Sequence, residues 1–360
     1  MNKFYPLKIL EITKETENAY SITFDVPKEW SDIFNYKPGQ YITLKFILNN
    51  EEVRRSYSIC SSPMLNEPIR IGVKRVKEGL VSNHINDNLK VGDTVEVMPP
   101  DGRFFAEIKE NNYKTYYLFA AGSGITPILS ITKTILSTEK QSYVHMVYGN
   151  QNSDTIMFLE SLKLLQKEYP DRFILIHTLS RPKSSWSDLW KTSKDIPYRK
   201  GRIDSDCVTW FINEYPPYAQ NAEYFICGPD TMIENTKKTL NKIDVPDTRI
   251  FTESFGSSSN IDSTEGIKNA KLTARLQGEM VVTTIPKGKT ILRALIDSGK
   301  EPPYSCEGGV CATCICKLTS GQVHMKNNLA LDEQEVAQGY ILSCQSIPIT
   351  KEIEVIYEKK

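Results

Sequence analysis

The sequence has no surplus of charge, because its 360 residues carry 44 basic and 44 acidic side chains. A general nucleic-acid binder needs extra Lys and Arg to neutralise phosphates, so this class is excluded. No apolar run approaches the roughly 18 residues that span a bilayer, which excludes a membrane-spanning helix and a membrane partner. The four His residues lack second ligands at metal-binding spacing, so they predict no His-based metal site.

Features of a secreted protein are also missing. The first ten residues have no signal-peptide core between their Lys residues, so we expect a cytoplasmic protein. Without an export signal, the eight Cys residues indicate metal ligation or redox chemistry rather than a disulfide framework. The composition, 40% apolar and 24% charged, is that of a globular protein, and the length predicts two or three domains.

Residues 1–107 contain short alternating stretches bounded by turn residues. The predicted strands are residues 19–26, 40–48, 53–60 and 69–76. Many short strands at this spacing predict an antiparallel β-barrel.

Residues 112–255 have a different pattern, in which predicted strands alternate with predicted helices. The predicted strands are residues 116–121, 143–148, 173–179 and 224–227, and the predicted helices are residues 127–136, 158–169 and 230–243. Such alternation predicts an α/β domain with a parallel sheet. Residues 256–269 are polar and Ser-rich, which predicts a flexible linker to a third domain at residues 270–360.

The most specific pattern is a cysteine cluster in the third domain. Its spacing is Cys306-x4-Cys311-x2-Cys314, with Cys344 further along, which is the plant-type spacing for a [2Fe–2S] cluster. Gly308 and Gly309 are expected to supply positive φ angles in a loop that wraps around the cluster. A structural zinc site is the alternative, although zinc ligands usually come as two close pairs.

A glycine-rich turn opens the second domain. Gly122-Ser123-Gly124-Ile125-Thr126-Pro127 follows a predicted strand and starts a predicted helix, as a phosphate-binding loop requires. It departs from the dinucleotide fingerprint G-x-G-x-x-G because Pro127 occupies the third glycine position. Three further motifs follow along the chain, at Ser180-Arg181, at Cys227-Gly228-Pro229-x-x-Met232 and at Glu253-Ser254-Phe255.

Together these motifs resemble the ferredoxin–NADP reductase superfamily with a C-terminal plant-type ferredoxin domain. The loop at residues 303–311 resembles that of ferredoxin domains, and the stretch at residues 325–345 resembles the ferredoxin domain of one group, the reductase subunits of phenylacetyl-CoA epoxidases. The first domain carries the family's R-x-Y-S (residues 55–58), G-x-x-S (residues 79–82), P-G-Q-Y (residues 38–41) and P-x-G-x-F (residues 100–104). The resemblance therefore covers all three regions and implies a β-grasp-like α+β fold for the third domain.

The resemblance also implies the site residues. FAD would be held by Arg55, Ser56, Tyr57, Ser58, Gly79, Leu80, Val81, Ser82 and Phe255. The nicotinamide nucleotide would be held by Gly122, Gly124, Thr126, Pro127, Ser180, Arg181, Cys227, Gly228, Pro229 and Met232. Ser58, Cys227 and Glu253 would lie at the point of hydride transfer. NADPH is expected over NADH, because a Ser-Arg pair suits the 2′-phosphate and no acidic residue ends that strand to hold a ribose diol.

The implied activity is electron transfer from NADPH through FAD and [2Fe–2S] to an external acceptor, with a diiron oxygenase as the expected partner. Two alternatives remain open from the sequence. One is a general reductase that serves a desaturase, a hydroxylase or a cytochrome. The other is a redox-sensing binding module, although such a module needs no nicotinamide site.

Overall fold

The structure is a computed structural model that describes residues 3–182, 198–219, 221–255 and 266–357. These residues fall into two compact units. The C-terminal unit holds Thr43–Ser56 together with the described part of the C-terminal region, and the N-terminal unit holds Tyr5–Ile42 and the described residues from 57 to 255. Among the described residues, no helix is both long enough and apolar enough to cross a membrane.

Residues 3–105 form one sheet, one α-helix and a short 3-10 helix (Lys28–Trp30). The elements are β1 (Tyr5–Thr16), β2 (Ala19–Asp25), β3 (Tyr41–Leu48), β4 (Glu51–Ser58), β5 (Arg70–Lys74), α1 (Leu80–Asn88) and β6 (Thr94–Asp101). The strand order is β4-β3-β6-β1-β2-β5. Ile59, just after β4, forms an antiparallel bridge to Ile71 in β5, the strand at the other end of this order. This bridge closes the sheet into the predicted barrel, because it joins the two edge strands.

Residues 115–254 form a second sheet with helices on both faces. The elements are β7 (Thr115–Ala121), α2 (Ile125–Thr138), β8 (Tyr143–Asn150), α3 (Leu159–Glu168), β9 (Phe173–Leu179), β10 (Tyr198–Lys200), α4 (Ser205–Glu214), β11 (Ala222–Gly228), α5 (Asp230–Asn241) and β12 (Ile250–Ser254). The order is β10-β9-β8-β7-β11-β12, and the paired strands are parallel.

Two apolar clusters bury the two faces of this parallel sheet. Leu118 of β7 packs with residues of α2 and α3, such as Ile128 and Leu162. Phe119, its neighbour along β7, packs on the opposite face with Phe211 of α4 and Leu240 of α5. Adjacent residues of β7 are therefore both buried, as expected for a strand covered on both sides.

The C-terminal region forms a five-stranded sheet and a small two-stranded sheet. The elements are β13 (Ala270–Leu276), β14 (Glu279–Ile285), α6 (Ile291–Asp297), β15 (Ile315–Ser320), β16 (Val323–Met325), α7 (Glu333–Ala337), β17 (Tyr340–Leu342), β18 (Ser346–Pro348) and β19 (Glu352–Ile356). The larger sheet has the order β14-β13-β19-β15-β17, in which β13 and β19 are parallel and the other neighbours are antiparallel.

The predicted fold class is confirmed, and the predicted elements agree with the structure within a few residues. In residues 1–255 the elements β1, β6, α1, β10, α4 and β12 were not predicted, and for the third domain only the fold class and no individual helix or strand was predicted. The strand β1 is long and mostly polar on one side, and Pro6 lies within it, which weakens a strand pattern in the sequence. The domain boundaries at residues 107, 112, 255 and 270 stay predictions, and most of the predicted linker lies outside the described residues.

Candidate functional site

The candidate nucleotide site is centred on the carboxyl ends of β7 and β11. These neighbouring parallel strands end with Ala121 and Gly228, and the chain leaves the sheet in opposite directions along the strand order. Such a switch point leaves a crevice at the carboxyl edge of the sheet, where ligands bind. The predicted turn at residues 122–127 and the predicted Cys-Gly-Pro motif therefore face the same crevice.

The turn at residues 122–124 makes a close backbone approach to β11. A Cβ atom on Gly124 would lie 2.2 Å from the carbonyl oxygen of Cys227, so only glycine fits there. Gly122 has a φ of 56°, and its carbonyl accepts a hydrogen bond of 3.0 Å from the Tyr148 hydroxyl. These two contacts fix the turn at the start of α2, where free backbone N–H groups attract phosphate.

Thr126 and Pro127 lie in the first turn of α2 and are both buried. The Thr126 hydroxyl donates to the carbonyl of Ser123 at 3.0 Å, which ties the helix to the glycine turn. Pro127 fits this position because the first-turn N–H groups have no partner within a helix. Both residues therefore shape the turn.

Three residues predicted to act at the point of hydride transfer come together in the N-terminal unit. The Ser58 hydroxyl, at the end of β4, donates to a carboxylate oxygen of Glu253 at 3.2 Å. Glu253 in β12 is the register partner of Cys227 in β11. The grouping joins three separate segments of the chain at the carboxyl edge of the parallel sheet.

Cys227 is fully enclosed by protein, with no exposed surface. Burial raises the pKa of its thiol well above the usual value, and the nearby Glu253 carboxylate raises it further. The side chain is therefore a neutral thiol at physiological pH, which cannot act as a thiolate nucleophile. Its available roles are to fill space and to shape the surface on which a ring lies.

The remaining residues of this motif surround the end of β11. Gly228 has a φ of 157°, and a Cβ there would lie 2.8 Å from the terminal carbon of Met232. Pro229 precedes α5 and its carbonyl accepts from the Met232 N–H at 3.0 Å. The Phe255 N–H donates to the carbonyl of Gly228 at 3.3 Å, which joins the Glu-Ser-Phe motif to the Cys-Gly-Pro motif.

Ser180 and Arg181 follow β9 at the same edge of the sheet. The N–H of Arg181 donates to the carbonyl of Gln151 at 2.7 Å, which fixes the backbone, while its side chain is exposed. Arg202 follows β10, the strand that pairs with β9, and is also exposed. The two Arg residues therefore come from the ends of neighbouring parallel strands.

The predicted flavin motif runs along β4. Arg55 is exposed and donates to the carbonyl of Arg54 at 2.7 Å, while Ser56 and Tyr57 are half-buried. Ser58 ends the strand and is buried. The side chains of Arg55 and Tyr57 lie on the same side of the strand, because residues two apart share a face.

The predicted pyrophosphate turn caps α1. Gly79 is the residue before the helix, and Leu80, Val81 and Ser82 form its first turn, whose N–H groups have no partner within the helix. The Ser82 hydroxyl accepts from the N–H of Val76 at 3.1 Å, so it fastens the preceding loop to the helix. A Cβ on Gly79 would lie 2.5 Å from that hydroxyl, which explains the glycine.

One residue of the site was missed in the sequence. Lys74 ends β5, and its ammonium nitrogen would lie 3.4 Å from a Cβ on Gly122 in the glycine-rich turn. Burial lowers its pKa, and no acidic partner is found for it among the described residues. A half-buried, uncompensated ammonium beside a phosphate-binding turn is suited to an anionic ligand. Its place in an ordinary alternating strand gave no indication of this role.

In the C-terminal unit, the four Cys residues predicted as cluster ligands come together as two pairs. The Cys306 thiol is hydrogen-bonded to Cys311, and the Cys344 thiol is hydrogen-bonded to Cys314. The contact within the first pair lowers the pKa of Cys311 and raises that of Cys306, and the contact with Cys314 raises the pKa of Cys344. No three His, Cys, Asp or Glu side chains among the described residues converge as they would on a single metal ion. Two pairs fit a [2Fe–2S] cluster, in which each iron takes two protein thiolates.

The loop that carries Cys306 and Cys311 is built from left-handed residues, but they differ from those expected. Gly309 has a φ of 80°, as expected, whereas Gly308 has no positive φ, and the expectation for it is wrong. Glu307 and Ala312 take φ values of 53° and 54° instead. Each such non-glycine residue costs about 1–2 kcal/mol, so the surrounding structure must hold the loop.

Hydrogen bonds from the stretch at residues 326–345 hold this loop. The Asn327 amide donates to the carbonyl of Gly308 at 2.6 Å, and the Gln345 amide donates to the carbonyl of Glu307 at 2.7 Å. The Leu329 N–H donates to the carbonyl of Gly309 at 3.0 Å. Cys316 packs in the core of the larger sheet, apart from the four paired Cys residues.

Three families match successive parts of the chain. They are the oxidoreductase FAD-binding domain at residues 6–105, the oxidoreductase NAD-binding domain at residues 118–238 and the 2Fe-2S iron-sulfur cluster binding domain at residues 274–348. The chain is 34% identical to a component of the 1,2-phenylacetyl-CoA epoxidase of Escherichia coli, over 100% of this chain and 99% of that protein.

The chain belongs to the ferredoxin–NADP reductase superfamily, in the group with a C-terminal [2Fe–2S] domain. It is also 32% identical to the ferredoxin reductase component of 3-ketosteroid-9-alpha-monooxygenase from Rhodococcus rhodochrous, over 97% of this chain and 95% of that protein. Phthalate dioxygenase reductase has a similar fold, with a TM-score of 0.64, 24% identity and 98% coverage of both chains. As a member of this superfamily, the protein is an NAD(P)H-dependent oxidoreductase whose cofactors are FAD, a [2Fe–2S] cluster and a nicotinamide nucleotide.

The cluster loop of this reductase gives a matched pair of glycine variants. Gly309→Ala is expected to lose most of the bound iron, because a Cβ would lie 2.8 Å from the carbonyl of Asn327 at a φ of 80°. Gly308→Ala should keep its iron, because the nearest atom to its Cβ would be 3.8 Å away. Iron content and the visible absorbance of the purified variants measure both. Equal iron in the two variants would contradict the account of the loop.

Cys227 gives a second prediction. Cys227→Ala should keep the fold, the flavin and the cluster, but should slow flavin reduction by NADPH about tenfold or more, because hydride transfer is sensitive to small misplacements of the ring. Stopped-flow absorbance measures this rate. Reduction by dithionite, which needs no nicotinamide, is the control and should be unchanged. A wild-type rate with NADPH would show that Cys227 only fills space at the end of β11.

Proposed function

We propose that this protein is an NADPH-dependent reductase component that passes electrons through FAD and the [2Fe–2S] cluster to an oxygenase. The observation that carries the proposal is the convergence of Ser58, Cys227 and Glu253, which come from β4, β11 and β12. A flavin-motif residue thus lies against the residues at the mouth of the nucleotide crevice. Hydride transfer needs such contact between the two sites.

The cofactors would supply the redox chemistry, namely hydride acceptance by bound FAD and one-electron transfer by the cluster. The chain contributes positions and charges. Arg55 is placed to neutralise a flavin pyrophosphate, and the first turn of α1 offers N–H groups to the same phosphates. The Glu253 carboxylate accepts a hydrogen bond from the Ser58 hydroxyl and so orients this hydroxyl at the end of β4.

The choice of NADPH over NADH rests on the edge formed by β9 and β10. Ser180 and Arg181 follow one strand and Arg202 follows its neighbour, with both Arg side chains exposed. A planar guanidinium forms paired hydrogen bonds with a phosphate, which a ribose hydroxyl cannot match. Lys74, in contrast, lies beside the turn of the shared pyrophosphate, so it should act on both nucleotides alike.

Substitution of Arg181 is therefore predicted to affect NADPH selectively, and substitution of Lys74 to affect both nucleotides. Arg181→Ala should raise the KM for NADPH about tenfold or more and leave the KM for NADH nearly unchanged, because one charge-assisted phosphate contact contributes ~1.5–3 kcal/mol. Lys74→Met should raise both KM values by similar factors. Steady-state kinetics with each nucleotide and ferricyanide as acceptor measure the four values. If Arg181→Ala affected both nucleotides equally, its assignment to the 2′-phosphate would be wrong.

The proposed partner is an oxygenase component of the diiron class. The support is the similarity over the full chain to the Escherichia coli phenylacetyl-CoA epoxidase component. The Rhodococcus relative serves a different monooxygenase, so the shared element is delivery of electrons to an oxygenase. The final substrate lies with that partner, because electron delivery requires no contact between the reductase and the substrate.

Reconstitution tests the partner. The purified reductase with NADPH should support turnover of a diiron oxygenase component, and a matched preparation of Cys344→Ser should not, because the cluster is then lost. NADPH consumption and oxygenated product should rise together. Consumption without product would indicate another acceptor, such as a desaturase or a cytochrome, and titration with those proteins would identify it.

A further inference from the structure

The C-terminal unit contains a contact between two chemically important segments. Tyr304 and Ser305, which directly precede the ligand Cys306, pack against the hairpin of β3 and β4. Both residues are buried, with 6% and 1% of their surface exposed. The same hairpin carries Arg55 and Ser56 of the flavin motif. The ligand loop and the residues of β4 up to Ser56 are thus parts of one compact unit.

Hydroxyl groups form the centre of this contact. The Ser305 hydroxyl lies 2.6 Å from the hydroxyl of Ser56 in β4 and 2.5 Å from the hydroxyl of Thr43 in β3. Ser305 is covalently joined to Cys306, and Ser56 is joined to Tyr57. One hydrogen bond therefore links the backbone of the first cluster ligand to the backbone of the flavin motif.

A charged clamp, in which the guanidinium of Arg54 is buried and Glu52 is exposed, lies on the same hairpin as two of the hydroxyl groups. The Arg54 guanidinium lies 3.9 Å above the centre of the Tyr304 ring and 2.7 Å from a carboxylate oxygen of Glu52. The Tyr304 hydroxyl donates to that same oxygen at 3.2 Å. Arg54 is only 8% exposed. A buried guanidinium is costly unless it is paired, so this ring, ion pair and hydrogen bond form one interdependent unit.

Simple packing of the two segments would not require hydrogen-bonded hydroxyl groups or an ion pair. An apolar contact could hold the two segments together at lower desolvation cost, and would leave more freedom in their relative position. Directional hydrogen bonds and a stacked guanidinium restrict both distance and orientation. This restriction falls on the residue next to a cluster ligand, where distance matters for electron transfer.

We propose that Glu52, Arg54, Tyr304 and Ser305 are positioning residues, which hold the loop of Cys306 on the flavin-bearing strand and so set the rate of cluster reduction. The inference rests on the proposed function. The two electrons of one hydride leave the reduced flavin in two one-electron steps, each of which reduces one oxidised cluster, and the accompanying proton is released to solvent. The cluster is reoxidised by the acceptor between the steps.

The test separates hydride transfer from cluster reduction in three variants of the holoenzyme. Arg54→Met, Tyr304→Phe and Ser305→Ala should leave flavin reduction by NADPH unchanged and slow cluster reduction, with the largest effect, about tenfold or more, in Arg54→Met. Lys289→Met is the matched control, because it removes a basic side chain of the same unit that pairs with Asp297 instead. Stopped-flow absorbance follows the flavin, and freeze-quench EPR follows the reduced cluster.

A second measurement does not depend on electron flow. Hydrogen exchange at residues 43–56 and 303–306 should become faster in Arg54→Met and Tyr304→Phe, and should stay at the wild-type rate in Lys289→Met. Tyr304→Phe removes only one hydroxyl, so it keeps the test valid if Arg54→Met fails to fold.

The outcomes are distinct. Wild-type rates of cluster reduction in all three variants, or equal slowing in Lys289→Met, would overturn the proposed clamp. Flavin reduction by NADPH in the wild-type protein without any cluster reduction would refute the proposed function itself. Slower cluster reduction with faster exchange in the clamp variants alone would establish the positioning role.

Discussion

The nucleotide site depends on one close contact, that of Gly124 with the carbonyl of Cys227. A side chain at residue 124 would overlap this oxygen, so glycine allows the start of α2 to reach the end of β11. Once that approach is made, the N–H groups of α2 and the Cys-Gly-Pro motif face one crevice. Glu253 pairs beside Cys227 and brings Ser58 to the same place. The flavin strand is thereby joined to the nucleotide edge.

The cluster site follows a different physical rule, in which local strain is balanced by long-range hydrogen bonds. Glu307 and Ala312 adopt left-handed backbone angles that disfavour side chains. Amide groups of Asn327 and Gln345, far along the chain, bind the loop carbonyls and compensate for this cost. Protein hydrogen bonds thus hold the loop in shape independently of any metal–thiolate bonds. This preorganisation reduces the reorganisation that metal binding would otherwise require.

The two sites divide the chemistry between rigid supports. Hydride transfer is assigned to the carboxyl edge of a parallel sheet that is buried on both faces, and one-electron transfer to a loop on the hairpin of β3 and β4. The buried Arg54 guanidinium is expensive to desolvate, and its ion pair with the more exposed Glu52 offsets this cost. In the proposed function, charged contacts fix the positions of the segments, and the cofactors would supply the reactivity.

The sequence indicated the fold class through strand and helix periodicity. It indicated the cofactors, and predicted Cys306, Cys311, Cys314 and Cys344 as ligands, through motif spacing and the family resemblance, because such patterns are local properties. It could not determine which residues meet across the fold. Lys74 lies in an ordinary alternating strand pattern, which gives no sign of its place beside the glycine-rich turn. The positive φ of Glu307 was not predicted, because the neighbouring glycines are the residues that usually adopt such angles. Tyr304 and Arg54 are separated by some 250 residues, and only the tertiary structure decided their contact, because packing between distant segments leaves no periodic trace in the chain.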